Sequence, residues 1–413
     1  MLGAIIGDML GNGYDFTGDI PTYEEVKEKY NKLFKQENIK VDLNKEYLFT
    51  DDTVMSIAVA DSIADSFGKT SDEIKASLVK NMQKYGRKYI NVGYGMMFKN
   101  WILSENPIPY NSYGNGSAMR VSSVGWMANN LNEVDIYSRL TAEITHNSKE
   151  GIKGAQAIAS AIFLARNNTD KSIIKKYIER EYGYNLSNTI DYYKNIDIQK
   201  RDALCETAVM QAFTAFFESE DFEDAVIKAV TIGGDTDTIA AISGSIAEAY
   251  YGIDEKSKEL AISYLTEDLK QGINNYLYIL MYRRNERKKV YDSIFTEIDY
   301  FKNKIKKDNG RKIPLFMMNQ FDMSNEIEKL INIVNLPEIV DKGYIDTLDL
   351  YSIEMDSDIY IEKAKQSSPY LLRAMITSIV KQEIFSPGTV NRAIEEGAIY
   401  EILINLKEKN SYK

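Results

Sequence analysis

Two short acidic segments carry the residue types best suited to chemistry. Phe49-Thr50-Asp51-Asp52-Thr53 and Gly233-Gly234-Asp235-Thr236-Asp237-Thr238 each gather carboxylates and hydroxyls just ahead of an apolar stretch. One role for such a segment is N-capping, because Thr and Asp oxygens accept from the free N–H groups of a helix start and favour its positive end. A cap needs one acceptor, however, and adjacent Asp51 and Asp52 repel each other unless something cationic neutralises them. Hard divalent cations take oxygen ligands of this kind, and the carboxylates of the two segments suffice for two ions with shared ligands. Residue types and spacing alone leave capping and metal binding both open.

Four further places could contribute. Small residues in Gly114-Asn115-Gly116-Ser117-Ala118-Met119-Arg120 would let backbone N–H groups approach an anion, or could form an ordinary glycine turn. Arg120 fits either a phosphate or an acidic partner. Asp8, in Gly7-Asp8-x-x-Gly11, lies among apolar residues and therefore needs a partner, whether an amide, a base or a metal; Asp15 follows it. Thr145-His146-Asn147 holds a lone histidine, which reads as a hydrogen-bonded structural residue. Tyr94, Phe98 and Trp101 could stack on a base, or form a core stripe.

The elements that must position these residues read as helices. The stretch 52–67 places Ile57, Ala60, Ala64 and Phe67 near one face, while 150–166, 206–218 and 238–250 are apolar on more than one side, as buried helices are. The run 255–282 predicts one or two amphipathic helices. Sustained two-residue alternation is scarce, so the first two-thirds of the chain is expected to be all-α. The polar, lysine-rich stretch 18–47 predicts a short helix plus a loop lying over something. The charge run Arg283 to Lys289 predicts a solvated helix end or linker. Beyond it, a turn at Lys307–Gly310, alternation around 340–361, a helix from Leu371 and a final helix from about Val390 to Lys407 indicate a second, smaller, α-rich domain.

Composition narrows the chemistry further. The chain has 413 residues, 44% hydrophobic and 27% charged, which is globular and large enough for two or three domains. A net charge of −11 argues against general binding to nucleic acid or to an anionic membrane. One cysteine, Cys205, rules out an intrachain disulfide, and one histidine, His146, leaves too few ligands for an ordinary zinc site. Any metal site must be built from oxygen, which points to magnesium, manganese or calcium. The N-terminal segment lacks a basic region and Asp8 interrupts its apolar run, so neither a signal peptide nor an anchor is expected there. No apolar run reaches the roughly 20 residues of a membrane span, and the expected location is the cytoplasm.

Taken in order, the segments GAIIGDMLG, FTDDTVM, GNGSAMRV, ITHNSKEGIKGAQA and GGDTDTIAAISGSIAEAYYG resemble the ADP-ribosylglycohydrolase family, from Met1 to about Tyr282. The resemblance implies an all-α, multi-helical orthogonal bundle around a cleft, with two Mg2+ (or Mn2+) ions. It implies metal ligation by Thr50, Asp51, Asp52, Asp235, Asp237 and Thr238, with Asp51, Asp52 and Asp15 in catalysis. It implies that Gly114, Asn115, Gly116, Ser117, Ala118 and Met119 cradle the diphosphate of ADP-ribose and that His146 lines the cleft. The stretch 18–47 would sit where the family has a mobile flap over the metals. The domains expected are a catalytic domain over 1–285 and a C-terminal domain over 290–413.

Two positions depart from the family pattern. A flap glutamate is replaced by Asp15, one methylene shorter, and a second histidine near His146 is replaced by Ser148. The segment LLRAMITSIVKQEIFSPGTVNRAIEEGAIYEILINL resembles a bacterial domain of unknown function, for which recognition of a substrate or partner is the expected role. The function implied is hydrolysis of the glycosidic bond at the distal ribose, releasing ADP-ribose from a protein, nucleic-acid base or small-molecule acceptor. The alternatives are an ADP-ribose or nucleotide sensor without turnover, and a metal-dependent hydrolase of another glycoside or phosphoester.

Overall fold

The computed structural model describes residues 1–17, 19–36, 47–197, 202–305, 325–336 and 339–409. Among them, every regular element is a helix, so the fold is all-α as expected. The chain divides into two compact units, Met1–Arg166 with Ile174–Tyr282, and Asn167–Ile173 with Arg283–Lys413. No helix among the described residues is long and apolar enough to cross a membrane.

The first unit opens with α1 (Leu2–Gly11), α2 (Tyr23–Phe34), α3 (Asp51–Asp65), α4 (Ser71–Lys88) and α5 (Met96–Leu103). It continues with α6 (Gly116–Met119), α7 (Ser122–Met127), α8 (Leu131–Glu143), α9 (Lys149–Arg166), α10 (Lys171–Tyr182), α11 (Ile190–Lys194) and α12 (Cys205–Phe217). It closes with α13 (Phe222–Val230), α14 (Thr236–Tyr251), α15 (Glu255–Ser263) and the start of α16 (Glu267–Phe295). The apolar-all-round sequences become the interior: α1, α3, α9 and α14 are buried along most of their length. Outer helices are amphipathic. On α4, for example, Ile74, Leu78, Met82 and Tyr85 face inward, and a capping box between Thr70 and Glu73 fixes its start.

The tightest packing is between α1 and α14. Glycines at four-residue spacing on α1 remove the side chains that would hold the two backbones apart. A Cβ at Gly3 would lie 2.2 Å from the Gly244 carbonyl oxygen, one at Gly7 2.1 Å from that of Ala240, and one at Gly11 2.5 Å from Cα of Asp237. This close approach brings Asp8 and Asp237 into one neighbourhood.

Several expectations are revised. Within 18–47, residues Tyr23–Phe34 form a helix that packs on α13 and α15, burying Val26, Tyr30, Leu33 and Phe34, so this part is docked on the core. Residue 18 and residues 37–46 lie outside the described residues. The charge run Arg283 to Lys289 is neither helix end nor linker but lies inside α16, with Arg283 buried. The second unit contains the rest of α16, then α17 (Ile298–Lys304), α18 (Asn325–Val334), α19 (Tyr344–Leu350), α20 (Ser357–Ala364), α21 (Pro369–Gln382), α22 (Thr389–Glu396) and α23 (Ala398–Lys409). The alternating stretch near 340–361 is helical, and the final helix is split in two at Gly397. The turn at Lys307–Gly310 lies outside the described residues. This unit has its own core, including Phe301, Leu330, Leu372, Met375, Ile399 and Leu403.

Candidate metal and substrate cleft

The C-terminal half of α1 supplies Asp8, which is completely buried. Its carboxylate accepts from Thr50 N at 3.0 Å, Thr50 Oγ1 at 2.8 Å and Thr53 N at 3.0 Å. Asp8 therefore satisfies the free donors at the start of α3, the partner its apolar surroundings demanded. Burial outweighs those hydrogen bonds and raises its pKa to about 6. With Asp8 holding the helix start, the Asp51 and Asp52 carboxylates are released from capping and line a cleft of about 1010 Å³. Asp51 lies against Gly93, where a Cβ would come within 2.9 Å of Oδ1.

The start of α14 is held in a parallel way. Asp15 Oδ1 accepts from Thr236 Oγ1 at 2.6 Å and from Asp237 N at 2.9 Å, while its Oδ2 accepts from Gly13 N at 3.2 Å. Asp235, at the N-cap position, makes no capping bond; its Oδ2 instead accepts from Asn115 Nδ2 at 2.7 Å. Thr238 Oγ1 donates to Asp52 Oδ2 at 3.0 Å and so joins the two helix starts. Asp15, Asp235 and Asp237 each offer a carboxylate oxygen, all within 4.8 Å of one another, a spacing that can hold a metal ion.

The electrostatics of this cluster are set by burial first and by mutual repulsion of the carboxylates second. Burial, then repulsion from Asp8 and Asp235, raises Asp51 to about 7. Asp52 and Asp237 are pushed well above the usual carboxylate range, by burial and then by neighbouring aspartates, and Asp235 is raised for the same leading reason. Asp52 Oδ1 is buried with no hydrogen-bond partner. The nearby cation Lys29, from α2, is spent elsewhere: Nζ donates to the carbonyl oxygens of Leu10 (2.8 Å) and Asn12 (2.5 Å) at the end of α1. Burial lowers it to about 8 against the pull of Asp15, Asp8 and Asp237. An orphaned carboxylate oxygen in an all-oxygen donor set fits a hard divalent cation.

Another part of the lining is built from the loop before and within α6, whose Asn115 reaches Asp235. Gly114, Asn115, Gly116 and Met119 line the cleft, whereas the Ser117 and Ala118 side chains are buried away from it; Ser117 Oγ donates to the Gly151 carbonyl at 2.7 Å. The loop is tied to the start of α12 by a bridge between Gly114 and Leu204 and by Asn115 N donating to the Ala203 carbonyl at 3.1 Å. His146 also lines the cleft, and Thr145 Oγ1 lies 2.7 Å from its Nδ1. Burial, helped by Arg120, drives its pKa well below the usual value, so the imidazole is neutral. Among the described residues Arg120 pairs with no acid; it donates to the Thr141 carbonyl and to Thr145 Oγ1, each at 2.8 Å. Phe98 lines the cleft with Met96 and Met97, but Tyr94 and Trp101 are core. Cys205 is buried, with its thiol pushed up to about 12, so it is no nucleophile.

Lys29, Tyr110 and Ser112 are site neighbours that sequence reasoning missed. Lys29 carried one signal, its place beside the apolar face of an amphipathic helix. Tyr110 and Ser112 lie in a loop with no periodicity to read.

The ADP-ribosylglycohydrolase family model matches residues 1–286, and the chain belongs to that family. Human ADP-ribosylhydrolase ARH3 is 24% identical over 62% of this chain and 85% of its own length. ADP-ribosylarginine hydrolase Tri1 of Pseudomonas putida is 24% identical, covering 61% of this chain and 70% of its own. An uncharacterized protein of Archaeoglobus fulgidus is 27% identical over 60% of this chain and 85% of its own.

Proposed function

We propose that the protein is a metal-dependent hydrolase that releases ADP-ribose from an ADP-ribosylated acceptor by cleaving the glycosidic bond at the distal ribose. The observation that carries this reading is the group of Asp51, Asp52, Asp235 and Asp237, of which Asp52 and Asp237 are buried and Asp52 keeps an orphaned oxygen, lining one cleft together with a glycine loop. Thr50, Asp51, Asp52, Asp235, Asp237 and Thr238 are the residues that would hold two Mg2+ or Mn2+ ions, with Asp15 beside the second group. Such ions supply Lewis-acid polarisation and a lowered pKa for bound water.

The chain's own residues do the rest. Departure of the acceptor builds positive charge on the ribose, and ionised carboxylates beside it stabilise that charge. Gly114, Asn115, Gly116 and Met119 offer a surface against which a diphosphate lies without side-chain obstruction. His146, neutral, meets the same part of the substrate. Asp15 is already occupied at the start of α14, so its role is to orient Asp237 and Thr236 more than to abstract a proton.

That occupation of Asp15 also favours a second reading, a sensor that binds ADP-ribose without turning it over. The deciding experiment incubates the full chain with magnesium or manganese and arginine-, serine- or nucleobase-linked ADP-ribose, following free ADP-ribose by mass spectrometry. The name of the Pseudomonas relative supports putting the arginine linkage first. Release that disappears in Asp235→Ala supports the hydrolase. Binding of ADP-ribose with no release, and release switched on by Asp15→Glu, supports the sensor. Full activity in metal-free protein overturns the mechanism.

A further inference from the structure

Arg120 is 1% exposed and, among the described residues, has no carboxylate partner and leaves Nε without a hydrogen bond. Its Nη2 donates to Thr145 Oγ1 at 2.8 Å, and the same oxygen lies 2.7 Å from His146 Nδ1. A guanidinium only donates, so Thr145 Oγ1 is an acceptor toward Arg120. Thr145 is fully buried, and among the described residues the acceptor within reach of its own hydroxyl proton is His146 Nδ1. A proton on Nδ1 would leave that hydroxyl proton without an acceptor in a site that water does not reach, which is costly. The chain of donors therefore runs one way, from Arg120 through Thr145 to Nδ1.

The other ring nitrogen faces the glycine loop. A Cβ at Gly116 would lie 3.1 Å from His146 Nε2, and one at Gly114 3.7 Å from it. We infer that Arg120 and Thr145 are positioning residues that fix His146 as the Nε2–H tautomer, a neutral donor aimed at an anionic oxygen of a ligand held on the Gly114–Gly116 loop. The ligand half of this inference rests on the reading of the cleft as an ADP-ribose site; the tautomer half does not. A neutral donor suits this place, since the adjacent Arg120 charge already disfavours an imidazolium, and a fixed tautomer removes a choice that would otherwise be settled on binding.

The test uses the chain's sole histidine, whose ring gives unambiguous signals. Nitrogen-15 NMR of histidine-labelled, ligand-free protein at neutral pH should show Nε2 protonated and Nδ1 as an unprotonated acceptor. Thr145→Ser should keep that pattern. Thr145→Val should lose the tautomer preference and weaken calorimetric binding of ADP-ribose about tenfold or more, the scale of one hydrogen bond to a charged group. An Nδ1–H tautomer in the wild type overturns the inference, as does Thr145→Val that changes the tautomer but binds ADP-ribose as tightly as wild type. Should Thr145→Val fail to fold, the wild-type and Thr145→Ser spectra still decide. Wild type that shows Nε2–H but binds no ADP-ribose overturns the ligand assignment, and with it the ADP-ribose reading of the cleft, while the tautomer stands.

Discussion

Asp254 and Asp51 occupy similar places and behave in opposite ways. Both are aspartates at a helix start: Asp254 is the N-cap of α15, and Asp51 is the first residue of α3. Desolvation pushes Asp254 up, but Lys35 and the Ser257 N–H and hydroxyl, which all bond its carboxylate, together outweigh it and hold it to about 2. Asp51 is raised to about 7, because it is desolvated beside Asp8 and Asp235. An aspartate at a helix start is thus an ordinary cap when it faces water and a lysine. Its pKa is raised when other groups take over the capping and other acids surround it. Asp8, with Thr50, and Asp15 make the difference, since they take up N–H groups at the two helix starts that the cleft aspartates would otherwise cap.

The largest effect that tests this contrast is on turnover. Asp52→Asn is expected to lower kcat/KM by about a thousandfold or more, the scale of removing a charge aimed at a developing cation or a metal. Without metal its melting temperature should match or exceed that of wild type, since burial and neighbouring aspartates disfavour the charged Asp52 carboxylate that the substitution removes. A variant that is both active and destabilised would make Asp52 structural, like Asp254.

Next comes metal binding. Magnesium or manganese at about 100 times Kd should stabilise the chain by about 2.7 kcal/mol, raising Tm by roughly 3–5 °C, with reversal by a chelator. Asp254→Ala should leave that shift intact, and Asp235→Ala should remove most of it.

The pH dependence should have opposite signs for the two kinds of aspartate. Asp8 and Asp51 are raised above the unfolded carboxylate value, so without metal the folded chain binds more protons than the unfolded one between about pH 4 and 7. Their contribution to stability therefore falls as pH rises through that window, and a bound divalent cation should flatten the fall. Asp254, held low, contributes stability above about pH 4 that is lost as pH drops toward 2. Thermal melts from pH 4 to 8, with and without cation, check the first; comparison with Asp254→Ala at lower pH checks the second.

The smallest effect is that of the cap itself. Asp254→Ala should cost about 1 kcal/mol by urea denaturation and leave activity unchanged. Loss of activity there would mean that the two sites are coupled.

Much of this was legible in the residues. Buried helices such as α9 and α14 declare themselves by apolar runs too wide for one face, and the acidic segments stand out in a chain with one histidine and one cysteine. Long-range partners were harder to see. Nothing local reveals that Asp8 caps α3 across 42 residues or that Lys29 closes the end of α1. The lysine-rich stretch reads as a short helix plus a loop, and the helix is there, but that Val26, Tyr30, Leu33 and Phe34 dock it on the core was not foreseen.

By itself, the sequence determined the helical class, the ordered motifs of the family, and the oxygen-only chemistry available to the site. Those follow from composition and from short-range periodicity. Tertiary structure alone decided which aspartates are caps and which are free, which nitrogen of His146 faces the cleft, and that Arg120 serves a threonine and not an acid. Each depends on burial and on partners far away in the chain, and a carboxylate or imidazole takes its protonation state from that surrounding.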